Sequence, residues 1–244
     1  MRTVRALARL LAATGHMLHG LAIVLMAFGR LDAAARQQRI GWWAVKMLRM
    51  LGVGLRTEGV PHAGPVLLVA NHISWMDILA IHAVCPQARF VSKADVKAWP
   101  LIGRLVASAG TLFIERERKR DALRVEHQMA EALQRGETVA VFPEGTTTDG
   151  SALLPFHANL LQAAVATGTP VQPVVLRFSE PAHRVSPAVA YVGDTTLVRS
   201  VWRVASADGL VAQVSLLPPE RTQHADRRAL AEHLREQIAR RLDA

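Results

Sequence analysis

From Gly59 onward the chain is built of short apolar runs, at 66–70, 89–92, 111–115, 138–142, 171–178, 188–192 and 211–217. Runs of this length and composition read as strands, and continuous rather than alternating ones are buried on both faces. Helical stretches at 75–84, 101–108 and 121–135 separate the earlier runs. A further helix is expected over 153–167, stopped by Gly168 and Pro170. An amphipathic one over 225–242 places Leu230, Leu234, Ile238 and Leu242 at four-residue steps. Strands alternating with helices fold into a mostly parallel sheet flanked by helices, so the fold class is α/β. Ligands of such sheets bind beyond the carboxyl ends of the strands. The residues that close each run are where chemistry is to be sought.

The run Val66–Ala70 leads directly into Asn71-His72, and Asp77 follows His72 by five residues. On a regular helix five residues turn through about 500°, leaving the two side chains about 140° apart. They face each other only if His72 precedes the helix and Asp77 lies in its first turns. That arrangement is a general base with an orienting carboxylate. A hydrogen-bonded pair without catalytic duty is the other reading of the same spacing. The run 111–115 ends at Arg116, with Arg118 close behind, and 138–142 opens Pro143-Glu144-Gly145-Thr146-Thr147-Thr148. Alone, Arg116 reads as a solvated charge and Glu144-Gly145 as a turn. In a parallel sheet, they and His72 arrive at one edge.

Apolar residues make up 50% of the 244-residue chain, enough for a sizeable core and against disorder. The single cysteine, Cys85, excludes an internal disulfide framework and a cysteine-clustered metal site, and fits a reducing compartment. Phosphate-loop, nucleophile-elbow, His-Glu-x-x-His and dinucleotide-binding signatures are absent. The net charge of +9 is concentrated at the start: residues 1–60 carry nine Lys and Arg against Asp32 and Glu58. These cations are interleaved with Leu, Met, Ile and Trp, which suits an anionic membrane surface rather than nucleic acid. Residues 10–29 contain no charged side chain between Arg9 and Arg30, close to the roughly 20 apolar residues that span a bilayer. A shallow or re-entrant anchor, a span and a buried soluble helix are all compatible with that run. Residues 40–55 read as a second, interfacial helix, with Trp42-Trp43 beside a basic stripe. The expected organisation is a basic apolar two-helix membrane anchor over 1–58 and a catalytic domain over 59–244.

Taken in order, Asn71-His72-x-x-x-x-Asp77, Phe113-Ile114-x-Arg116, Phe142-Pro143-Glu144-Gly145-Thr146 and Val171-Gln172-Pro173-Val174 resemble the four blocks of the glycerolipid acyltransferases. The pattern is most similar to the bacterial 1-acylglycerol-3-phosphate acyltransferase branch. Lys93 and Trp99-Pro100-x-x-Gly103 also resemble that family between its first and second blocks. The resemblance implies an enzyme of lipid metabolism on the cytoplasmic face of the inner membrane. It would move an acyl chain from an acyl-carrier-protein or coenzyme A thioester to the hydroxyl of a lysophospholipid, with no metal or bound cofactor. In that chemistry His72 removes the hydroxyl proton and Asp77 holds the imidazole's tautomer. Arg116 pairs with the acceptor's phosphate. Asn71, Lys93, Glu144, Gly145 and Thr146 are implied to line the acceptor site.

One departure bears on the acceptor. Many relatives place a cation after Phe-Pro-Glu-Gly-Thr, where this chain has Thr147, and His157 stands where a cation follows Pro155-Phe156. A lyso-aminolipid such as lyso-ornithine lipid is therefore an alternative to a phosphate-bearing acceptor. A lipid hydrolase using His72 on water and a non-catalytic membrane-binding module are readings from other classes.

Overall fold

The computed structural model of the chain describes residues 1–114 and 119–244, with side chains except at Lys93 and over 114–122. Its sheet runs β1 (Gly54–Glu58), β7 (Val211–Leu216), β6 (Val171–Ser179), β2 (Val66–Ala70), β5 (Thr138–Val141), β3 (Arg89–Lys93) and β4 (Leu112–Ile114) from edge to edge. Every pairing is parallel except β6 with β7. β2 lies centrally, with Leu68 opposite Ala140 of β5 and Gln172 of β6, and all five of its residues are buried.

The period-two alternation of β2 divides the core. Val66, Leu68 and Ala70 face a layer holding α1 (Arg2–Met26), α2 (Ala33–Met50), α3 (Met76–Val84) and α7 (Leu197–Ser206). Leu67 and Val69 face α5 (Lys119–Gln134), α6 (Gln162–Thr167) and α8 (Arg227–Asp243). The short helix α4 (Ile102–Ser108) leads into β4. Cys85 is buried at the end of α3, and burial pushes its thiol up to about 11, which makes it core rather than reactive.

Several expectations change here. Residues 54–58, counted with the anchor, are a strand of the sheet. Their mostly exposed edge position explains why no apolar run marked them. The second helix starts at Ala33, where Asp32 Oδ1 accepts the Ala35 N–H at 2.8 Å, and it ends before Gly52, whose φ is +79°. Trp43 is partly buried against the core. Its indole donates to the His16 carbonyl and packs where Gly20 has no side chain. Trp42 is 40% exposed, with the Lys46 ammonium 4.9 Å from its ring. Residues 188–192 are not a strand: Val189 and Ala190 are buried within a loop. The stretch 153–167 is broken by Pro155 into a loop, a 3-10 turn at Ala158–Leu161, and α6. The helix α7, capped by Thr196 Oγ1 on the Arg199 N–H, was not expected.

Candidate active site

Adjacent β2 and β5 end side by side, so the turns that follow them share one edge. His72 leaves β2 and Asp77 sits in the first turn of α3, where His72 Nδ1 lies 2.7 Å from Asp77 Oδ2. The same oxygen accepts the Ile73 N–H at 2.6 Å and the Ser74 N–H at 2.9 Å. Three donors on one carboxylate oxygen fix the group as an acceptor, so Nδ1 carries the proton and Nε2 presents its lone pair. Asp77 is fully buried, with Oδ1 lacking a hydrogen-bond partner, whereas the imidazole is 20% exposed. The imidazole stacks on the Phe142 ring, 4.0 Å between centroids. One face is dry, the outer nitrogen is open among the described residues, and the carboxylate lies behind.

The β5 turn holds His72 through its backbone. Glu144 Oε1 accepts the His72 N–H at 2.7 Å, and Glu144 Oε2 accepts the Leu154 N–H at 2.9 Å. Thr148 donates its N–H to the His72 carbonyl at 2.8 Å. Thr147 Oγ1 donates to the Tyr191 carbonyl, and the Tyr191 N–H reaches the Ile73 carbonyl at 3.3 Å. Both peptide groups flanking the His72 side chain are thus committed. Burial pushes the Glu144 carboxyl up, and the N–H groups of Leu154 and His72 offset part of that rise. Gly145 adopts φ +71°, and a Cβ there would meet His157 Cδ2 at 3.0 Å, so the turn needs glycine.

The expected site residues separate into groups. His72, Asp77, Glu144 and Gly145 converge, and Thr146 is exposed at the rim. Asn71 is buried, with its amide spent on Leu176: Nδ2 donates to the carbonyl at 2.9 Å and Oδ1 accepts the N–H at 2.8 Å. Those two bonds extend the β2–β6 ladder beyond Ala70. Glu144, 3% exposed and accepting from two peptides, organises the turn. Lys93 closes β3, and Arg116 lies outside the described residues. Phe142 as a ring platform and the Tyr191 loop as a brace went unread. Phe142 carried a signal as the last apolar residue before the turn; the loop's backbone bonds carried none.

The model of the family described as Acyltransferase matches residues 54–177, just over half of the chain. The chain belongs to that family. Among similar members is a lyso-ornithine lipid O-acyltransferase of Pseudomonas aeruginosa, 37% identical over 204 residues, covering 83% of this chain and 78% of that protein. A 1-acyl-sn-glycerol-3-phosphate acyltransferase of Neisseria meningitidis serogroup B is 37% identical over 196 residues, covering 79% and 76%. The crystal structure of the 1-acyl-sn-glycerophosphate acyltransferase PlsC of Thermotoga maritima superposes with a TM-score of 0.75 over 100% of this chain and 97% of that one. At 21% identity that likeness speaks for the fold, which this acyltransferase shares from the first helix to the last.

Proposed function

We propose that the protein is a membrane-associated O-acyltransferase that passes a fatty acyl chain from an acyl thioester to the hydroxyl of a lysophospholipid. The observation that carries the reading is the His72–Asp77 pair, with Nδ1 held and Nε2 open at the sheet edge. Nε2 takes the acceptor's hydroxyl proton as its oxygen attacks the thioester carbonyl, Asp77 stabilises the imidazolium that forms, and that imidazolium returns the proton to the donor's sulfur as the C–S bond breaks and the thiol leaves. The thioester is already activated, so the reaction calls on no bound cofactor or metal. The donor is an acyl-carrier protein or a coenzyme A thioester. We assign Arg116, with Lys93 at the end of β3, to the acceptor's phosphate, and 1-acyl-sn-glycerol-3-phosphate as the acceptor.

A lyso-ornithine lipid acceptor is the second reading. It is favoured by the Pseudomonas aeruginosa relative and by Thr147, whose hydroxyl is spent on the Tyr191 carbonyl at the place of a cation. A panel of lysolipids with a labelled acyl thioester, read by mass spectrometry, separates the two. Diacyl product from lysophosphatidic acid alone supports the first reading, and product from lyso-ornithine lipid alone replaces it with the second. Free fatty acid without acylated acceptor would reject both in favour of hydrolysis.

The membrane assignment, to the cytoplasmic face of the inner membrane, rests on α1. It is the one helix among the described residues long and apolar enough to cross a bilayer, judged by length and composition. Val4, Leu7, Leu11, Leu18 and Leu25 are all exposed along it, at spacings that keep them on one stripe. Leu11→Glu with Leu18→Glu should lower partition onto vesicles of anionic phospholipid at least tenfold. Unchanged partition would place the contact elsewhere.

A further inference from the structure

Trp75 stands between His72 and Asp77 at the N-cap of α3, in the turn that carries both. Its indole N–H donates to Ser200 Oγ at 3.0 Å, across 125 residues of sequence. Ser200 is fully buried in α7. An indole nitrogen can only donate, so this bond is the one polar tie the Trp75 side chain can make.

The other end of the tie is fixed firmly. The last carbonyls of α7 and its C-cap receive arginines from α1. Arg9 reaches the carbonyls of Ala205 at 2.9 Å and Ala207 at 2.7 Å, and Arg2 Nε reaches Ser206 at 3.0 Å. Cations there also oppose the negative end of the helix dipole. Val204 and Ala207 join the core cluster that contains Ile73 and Met76. The catalytic turn is therefore held from two sides. Glu144 and Thr148 from the β5 turn, with Tyr191 beside them, hold its backbone, and Ser200 holds the Trp75 indole from the α1–α7 side.

We infer that Trp75 and Ser200 are positioning residues for acyl transfer, setting the turn that aims His72 Nε2 through the indole-to-hydroxyl hydrogen bond. The inference rests on His72 acting as the base. Neither residue takes part in proton transfer or touches the reacting atoms. Their effect is on the placement of the imidazole relative to the hydroxyl, where an error of about 1 Å costs on the order of 100-fold in rate. Placement acts on the chemical step, so turnover falls while substrate affinity is kept.

The test is a double-mutant cycle on the full-length protein in detergent or vesicles, with turnover normalised to folded protein by thermal melting. Ser200→Ala and Trp75→Phe should each lower kcat about tenfold and leave KM for donor and acceptor within about twofold. The double variant should be no slower than the slower single one. Ser200→Thr, which keeps the hydroxyl, should restore kcat to within about threefold of wild type. Wild-type kcat in both single variants, a lower melting temperature with kcat intact, or fully additive losses would each overturn the inference. If Ser200→Ala does not fold, Trp75→Phe and Ser200→Thr are read against the same two results. A wild-type protein that acylates no lysolipid would instead refute the proposed function, so the two failures are distinguishable.

Discussion

His72→Ala should lower acyl transfer by about 1,000- to 10,000-fold, the upper part of the range for removing a general base, while the protein stays folded. The kinetic effect is large because no other described group stands in for Nε2 at that edge. The structural effect is small because the imidazole is partly exposed and its loss leaves Asp77 Oδ2 with the N–H groups of Ile73 and Ser74. The expected stability cost is about 2–4 kcal/mol, one charge-assisted hydrogen bond plus the stack on Phe142. Labelled diacyl product from purified variant and wild type, alongside melting curves, measures both. Near wild-type turnover in folded His72→Ala would remove the base assignment.

Asp77→Asn refines that result, because Oδ2 alone receives all three donors and Oδ1 receives none. An asparagine oriented with its oxygen at the Oδ2 position keeps every one of those bonds and the imidazole's tautomer. Only the charge is lost, and with it the stabilisation of the imidazolium formed during transfer. Its turnover should fall by less than that of His72→Ala, about 10- to 100-fold. A loss equal to that of His72→Ala would mean that His72 cannot act as a base without the Asp77 charge, and unchanged turnover would mean that Asp77 supplies geometry alone.

The pair was legible in the sequence because it is local: a strand, a turn and one helical turn lie within twelve residues. So were the buried strands that carry it, since β2, β5 and β6 are each a continuous apolar run. What escaped reading depends on contacts between distant segments. β1 is an exposed edge whose Arg56, Thr57 and Glu58 give no apolar period. Residues 188–192 have the composition of a strand, yet they form a loop, with Val189 and Ala190 buried, that is braced on the His72 turn through Tyr191. The family resemblance implies Asn71 as a substrate-site residue, while the amide bonds to Leu176 that complete the backbone ladder carry no sequence signal. The Ser200 contact joins residues with no pattern between them. Glu144 falls between these cases, since its place was legible and its partners were not.

Glu144→Gln should lower turnover about 10- to 100-fold and also change how stability depends on pH. Each Glu144 oxygen accepts one peptide N–H, from His72 and from Leu154, in a site where the residue is almost wholly buried. A carboxamide offers one oxygen, so its NH2 must face the other N–H, donor against donor. The orphaned peptide group costs about 1–3 kcal/mol and the turn relaxes, carrying the His72 backbone with it. The pH effect has the opposite origin. Burial raises the wild-type carboxyl above its ordinary 4.5, so the folded protein holds that proton more tightly than the unfolded chain does. As pH rises through 4.5 the unfolded state loses its proton first, and Glu144's contribution to stability falls until the folded carboxyl has also ionised. Glutamine does not titrate. Denaturant midpoints from pH 4 to pH 8 should therefore show wild-type stability declining relative to Glu144→Gln above pH 4.5, then running parallel to it. Parallel curves throughout, together with unchanged turnover, would mean that the carboxylate neither feels its burial nor holds His72 in place.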